Sequence, residues 1–245
     1  CMSRRSIVTK GLAALLTLVT TFGGCDSKTD DGAKDIYDVT PPTQPVNANG
    51  TAVVYIVDTS GSMDNQLNKE RKIDSAKKAL CGILGEYKDY ATVSPNTRVG
   101  LICFDGDNVK TVVSMGEFNY DNLTSKIQSL GTDSYTPIGP SLACAERALD
   151  KTGLSKKYIV LLTDGKYNVG RSPGEVYTKI VNTNKEAGDL PTQLYVIAFN
   201  TDSSYFDELK KQGATIYSAK DGPELAKILR ENTEIILEAP EGSGN

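Results

Sequence analysis

Tyr158-Ile159-Val160-Leu161-Leu162 is an unbroken apolar run. A strand with no polar face has to be covered on both sides, which points to the centre of a parallel sheet flanked by helices. Ala52-Val53-Val54-Tyr55-Ile56-Val57 has the same character. Each run ends on an acid: Asp58 follows the first, and Thr163-Asp164-Gly165 follows the second. Two buried strands that deliver carboxylates at their ends constrain both the fold and the chemistry.

The rest of residues 51–238 alternates in the way such a sheet requires. Strand patterns fall at 52–57, 98–104, 109–114, 157–163, 193–199 and 214–218. Between them, apolar residues recur at helical spacing over 67–90, where Ile73, Ala76, Leu80, Ile83 and Leu84 share a face. Further helices are predicted at 120–130, from about 140 with Leu142, Ala145 and Leu149, around Val176, Ile180 and Val181, at 205–212 and at 223–237. Only Asp105-Gly106-Asp107-Asn108 joins the second and third strands. That is too short for a parallel crossover, so the third strand is predicted antiparallel, through an Asp-Gly turn.

The pattern predicts an α/β fold: a doubly wound, six-stranded, mostly parallel sheet with one antiparallel edge strand and helices on both faces. Right-handed crossovers place the first strand centrally, the second and third on one side, and the fourth to sixth on the other. The direction of winding reverses between the first and fourth strands, and ligands bind outside the carboxyl ends of strands at such a point. The topology therefore brings Asp58 and Asp164 together over one crevice.

The turn after the first strand reads Asp58-Thr59-Ser60-Gly61-Ser62-Met63. One carboxylate and two hydroxyls at alternate positions form a hard oxygen set, suited to Mg²⁺, Mn²⁺ or Ca²⁺ rather than zinc or copper. Asp and Ser are also ordinary helix N-caps, and Gly is the usual turn residue. Taken with the whole domain, the chain resembles the von Willebrand factor type A family, a doubly wound Rossmann-like fold, and its candidate metal centre resembles that family's metal-ion-dependent adhesion site. The resemblance rests on Asp58, Ser60 and Ser62 as D-x-S-x-S, on Thr136 in Ser134-Tyr135-Thr136-Pro137-Ile138-Gly139, and on Asp164. Arg98 to Asp105 also resembles the family's second strand.

The resemblance implies roles. Ser60 and Ser62 would ligate the cation through their hydroxyls. Asp58 and Asp164 would lie close and supply charge, often through water, and Thr136 would ligate directly or through water. Mg²⁺ is the natural occupant, and the open position would take a carboxylate from a partner protein. Thr132 is a rival to Thr136 in the same loop. Asp105, Asp107 and Asp133 read as solvated loop residues, and Gly61 and Gly165 as places where backbone approaches the ion.

Residues 1–24 read as an export signal, with Arg4, Arg5 and Lys10 ahead of a short apolar stretch. Phe22-Gly23-Gly24-Cys25 resembles a bacterial lipobox, which implies that Cys25 is lipidated and becomes the mature N-terminus. Ser3-Arg4-Arg5 also resembles a twin-arginine signal, so the export route stays open. Residues 25–50 hold too little apolar surface to fold and read as a tether, and 239–245 as a disordered tail. These segments together predict a bacterial envelope protein, lipid-anchored at the outer membrane, cell surface or periplasm.

The chain carries 27 basic against 31 acidic residues and no basic run, which argues against nucleic acid as a partner. Histidine is absent, which removes His-activated nucleophiles and His-ligated zinc. Cys81, Cys103 and Cys144 leave a disulfide pairing open. Three functions compete. The leading one is a metal-dependent protein-binding module. The second is a structural surface lipoprotein whose metal only stabilises the fold. The third is a Mg²⁺-dependent phosphotransfer enzyme. An Asp ending a first strand suits such phosphotransfer folds, but the haloacid dehalogenase pattern it would resemble has a second carboxylate two residues on, where Ser60 stands.

Overall fold

The computed structural model describes residues 48–91, 96–133 and 135–238. The expected signal, Cys25, most of the tether, the tail and Ser134 lie outside them. Strand β1 (Ala48–Val57) opens the sheet, ahead of the expected strand start at residue 52 and inside the last residues of the expected tether. A 3₁₀ turn (Gly61–Asp64) and a small antiparallel hairpin, β2 (Gln66–Leu67) and β3 (Glu70–Arg71), lead into α1 (Lys72–Ala91). Then follow β4 (Thr97–Asp105), β5 (Asn108–Glu117), α2 (Tyr120–Gln128), α3 (Ile138–Asp150) and β6 (Leu154–Thr163). The remainder is α4 (Pro173–Ala187), β7 (Gln193–Phe199), a 3₁₀ turn (Ser203–Phe206), α5 (Asp207–Lys211), β8 (Thr215–Ala219) and α6 (Gly222–Glu238).

The six-stranded sheet has the order β5-β4-β1-β6-β7-β8. All neighbours are parallel except β4 and β5, which turn through Gly106 at φ 62°. The strand order is the one that right-handed crossovers dictate, with β1 and β6 adjacent at its centre.

Period-two alternation divides β1 between two cores. Val53, Tyr55 and Val57 pack with Ile73, Leu80 and Leu84 of α1, Leu123 and Ile127 of α2, and Leu225 and Leu229 of α6. Ala52, Val54 and Ile56 pack on the opposite face with Leu142, Ala145 and Leu149 of α3, Val176 and Ile180 of α4, and Leu209 of α5. Both faces of the central strands are therefore buried, as their lack of polar residues requires.

One element departs from expectation. The first helix does not start at residue 67. Residues 66–71 form the hairpin instead, turning through Asn68 (φ 54°) and Lys69 (φ 71°), and α1 begins at Lys72. Leu67 misled the pattern: it packs against the first core, but from the hairpin. Two consecutive left-handed residues are incompatible with a helix and fit a tight hairpin turn. Cys81 and Cys103 are free thiols, so neither forms the disulfide the sequence left open.

Candidate functional site

The site grows out of the β1·β6 pairing. Beyond the last strand residue, the Asp58 N–H donates to Leu162 O (2.9 Å), which carries the ladder one step further and holds Asp58 against β6. Thr59 pins the other flank. Its hydroxyl donates to Phe104 O (2.9 Å) and accepts from Phe104 N–H (3.0 Å) on β4. The end of β1 is thus bolted to both neighbouring strands before the chain turns.

The turn itself is organised by Asp58 and Met63. The Ser60 N–H donates to Asp58 Oδ1 (2.7 Å), a local side-chain turn of the kind Asp favours. Met63, fully buried in the first core, anchors the 3₁₀ turn, and its N–H donates to Ser60 O (3.0 Å). Ser60 Oγ and Ser62 Oγ then lie 3.1 Å apart. Ser62 Oγ donates to Asp164 Oδ1 (2.6 Å), across the gap between the two strand ends. Thr163 Oγ1 donates to Asp58 Oδ2 (2.5 Å).

Four of the five expected residues, Asp58, Ser60, Ser62 and Asp164, therefore form one linked network of oxygens. Thr136 stands on the adjoining loop, buried just before α3. Its backbone N–H donates to Asn168 Oδ1 (2.9 Å), and its carbonyl accepts from Asn168 N–H (3.4 Å), which ties it to the loop that follows Asp164. Among the described residues no hydrogen bond joins its hydroxyl to the other four. Thr132 lines a separate cleft of about 210 Å³ beside Thr59, Phe104 and Asp133. Asp105, Asp107 and Asp133 are exposed, as expected, although Asp105 closes β4 rather than lying in a loop.

The glycines around the site differ in how much room the protein leaves them. A Cβ on Gly165 would meet only Ser62 Oγ, at an ordinary 3.9 Å, so that position does not require glycine for space. A Cβ on Gly61 would press on Asp133 O at 3.2 Å. The strict requirement falls on Gly139 in the first turn of α3, where a Cβ would stand 2.1 Å from Arg171 O. That close approach locks the helix behind Thr136 against the loop between Asp164 and α4.

Burial raises the Asp58 carboxyl to about 6, against the pull of its Ser60 and Thr163 hydrogen bonds and with a small push from Asp164. The surroundings of this carboxylate thus leave its charge under-compensated. The donor set consists of carboxylate and hydroxyl oxygens, with no nitrogen or sulfur, and it fits a hard divalent cation. Among the described residues no group of three or more acidic, His or Cys side chains could hold a metal.

Two participants escaped the sequence reading. Thr163 looked like the end of a strand, yet it holds Asp58. Lys72, the first residue of α1, is buried, and its Nζ lies 2.9 Å from Asp164 Oδ2. The hairpin hid it, because the misplaced helix start put this residue in mid-helix. A basic residue opening α1 opposite an acid-ended strand is the signal that would have found it.

A family model described as von Willebrand factor type A domain matches residues 53–166, from within β1 to just past Asp164. YwmC of Bacillus subtilis (strain 168), an uncharacterized protein, is 25% identical over 199 residues, covering 74% of this chain and 82% of YwmC. Among solved structures, the pilus adhesin SpaC of Lactobacillus rhamnosus GG superposes with a TM-score of 0.61 at 15% identity. The match covers 82% of this chain but only 32% of SpaC, so the chain spans about a third of that adhesin. The vWF domain of the type V pili tip protein Mfa5 of Porphyromonas gingivalis gives a TM-score of 0.62 at 12% identity, covering 85% of this chain and 99% of that one. At these identities the two structures attest the fold alone.

Proposed function

The chain carries a von Willebrand factor type A domain, and from that premise we propose that it is a lipid-anchored envelope protein binding a protein partner through a divalent cation. Asp58, Ser60, Ser62, Thr136 and Asp164 would hold the ion, with Mg²⁺ or Mn²⁺ the favoured occupants and Ca²⁺ a third. The observation that carries this reading is the network linking Ser60, Ser62 and Asp164 beside the buried Asp58. A cation bound there would supply an electropositive position that a partner's carboxylate can complete.

The rim supports a protein partner. Tyr135, next to Thr136, and Tyr205 are each 48% exposed. Lys166, two residues past Asp164, lies with its ammonium 5.9 Å from the Tyr205 ring centroid. Exposed tyrosines beside a cation are common anchors of protein interfaces. SpaC is a pilus adhesin and Mfa5 a pilus tip protein, which agrees with a surface interaction role. Cys25 would provide the anchor. Binding is favoured over catalysis because Ser60 stands where the haloacid dehalogenase pattern of phosphotransfer has its second carboxylate.

Two measurements test the reading. Titration calorimetry on the full chain should show one Mg²⁺ or Mn²⁺ site, absent in Asp58→Ala. Capture of partners from envelope extract should disappear in EDTA. If chelation lowers the melting temperature while capture persists, the ion is structural and the second reading prevails.

A further inference from the structure

Lys72 opens α1 as a buried residue. Its backbone N–H donates to Asn65 O (3.0 Å), which closes the hairpin insertion, and its side chain then reaches into the site. Nζ meets Asp164 Oδ2 at 2.9 Å, where the lysine side chain is 10% exposed and the aspartate side chain 0%. The other oxygen of that carboxylate takes the Ser62 hydroxyl at 2.6 Å. One carboxylate therefore bridges a cation of the chain itself and a hydroxyl of the proposed ion site. Its neighbour Asp58 is met by uncharged donors of Ser60 and Thr163.

The charge balance follows directly. Asp58 and Asp164 together carry two negative charges when ionised, and Lys72 offsets one of them. A divalent ion added to that group leaves a net positive centre, whereas without Lys72 the same ion would be neutralised by the protein alone. Burial reduces the screening of the ammonium by solvent and salt, so it acts on an incoming cation more strongly than a surface lysine would.

We propose that Lys72 is a built-in counter-charge that holds Asp164 in the metal-free protein, weakens divalent-cation binding, and keeps the loaded site positive enough to require an anionic ligand. This rests on the reading of Asp58, Ser60, Ser62, Thr136 and Asp164 as a cation site. The two effects of removing the ammonium have opposite signs. A buried Asp164 left without its partner destabilises the metal-free fold. An incoming cation, freed from a like charge, binds more tightly. A lysine that merely packed would weaken both together.

The test compares the full chain with Lys72→Met and Lys72→Arg by Mn²⁺ calorimetry and by melting in EDTA. Lys72→Met is expected to bind Mn²⁺ about tenfold more tightly, to melt lower in EDTA, and to gain more from saturating Mn²⁺ than the wild type does. Lys72→Arg, which keeps the charge, is expected to resemble the wild type in both. If Lys72→Met does not fold without metal, Lys72→Gln keeps a donor to Asp164 and carries the same comparison. A wild type that binds Mn²⁺ and a folded neutral variant that binds it no more tightly overturn this inference and leave the cation reading standing. No Mn²⁺ binding by either chain overturns both.

Discussion

At the scale of single residues, the site depends on hydroxyls as much as on carboxylates. Thr163 shows this best. Its Oγ1 is 2.5 Å from Asp58 Oδ2, and Asp58 is fully buried. Thr163→Val keeps the shape and removes the donor. It should destabilise the protein by about 1.5–3 kcal/mol, the range for a hydrogen bond to a charged group, and weaken Mn²⁺ binding. Urea denaturation at neutral pH and calorimetry would check this, and an unchanged midpoint would refute it. Thr136→Ala belongs to the same scale. With its backbone tied to Asn168 on both sides, loss of the methyl and hydroxyl should leave the urea midpoint nearly unchanged while reducing partner capture severalfold. Asp58, Ser60, Ser62 and Asp164 were legible in the sequence because their spacing lies at the ends of two apolar strands. Lys72 was not, because only the hairpin brings it there. Nor was Thr163, because a threonine ending a strand carries no signal of which way its hydroxyl turns.

At the scale of elements, helices α3 and α4 are joined to β6 by a second buried ion cluster that the strand pattern concealed. Lys157 Nζ is held by Glu146 Oε1 (3.2 Å), Asp150 Oδ1 (2.8 Å) and Asn184 Oδ1 (3.1 Å), which uses all three of its donors. Burial works to lower the lysine, but the Glu146 and Asp150 carboxylates reverse it and hold the ammonium above its usual range. Lys157→Met would strand two buried acids. It should cost about 3–5 kcal/mol, read as a lower urea midpoint, and Lys157→Met with Glu146→Gln should recover part of the loss. Equal loss in the single and double variants would deny the coupling. In sequence, Lys157 looked like a polar residue at the start of a strand, since periodicity reports which face is apolar and not which polar groups meet beneath a helix. The strand and helix order, by contrast, was readable throughout. The exception was the β2–β3 insertion, where Leu67 satisfied the helical pattern that began in earnest at Ile73.

At the scale of the whole molecule, handedness and alternation were enough to place all six strands, because a parallel sheet with short connections admits few arrangements. The cost of that architecture is that polar tips become trapped between layers. Burial raises Tyr55 and Tyr177 each to about 12 from an ordinary value of 10.0. The folded state keeps these protons while the unfolded chain releases them, so their stabilising contribution is complete below pH 10 and is lost between about pH 10 and 12. Urea midpoints should therefore fall from pH 9 to 11, and less steeply in Tyr55→Phe, which removes the hydroxyl that donates to Tyr87 at 3.1 Å. Parallel slopes for the two chains would contradict this.

The bond between Ser62 and Asp164 joins groups 102 positions apart in the chain but 2.6 Å apart in space. It has a consequence for the order in which this protein becomes competent. Neither half of the oxygen set exists as a site until β1 and β6 have found each other, and parallel pairing across so long a loop is among the slower steps of folding. A chain that has formed its local helices and the β4–β5 hairpin has not yet brought the residues of the proposed ion site together. Affinity of the proposed site for a cation should therefore emerge, in a refolding experiment, with the final long-range closure rather than with early helix formation, which would make Mn²⁺ binding a timer for completion of the central sheet.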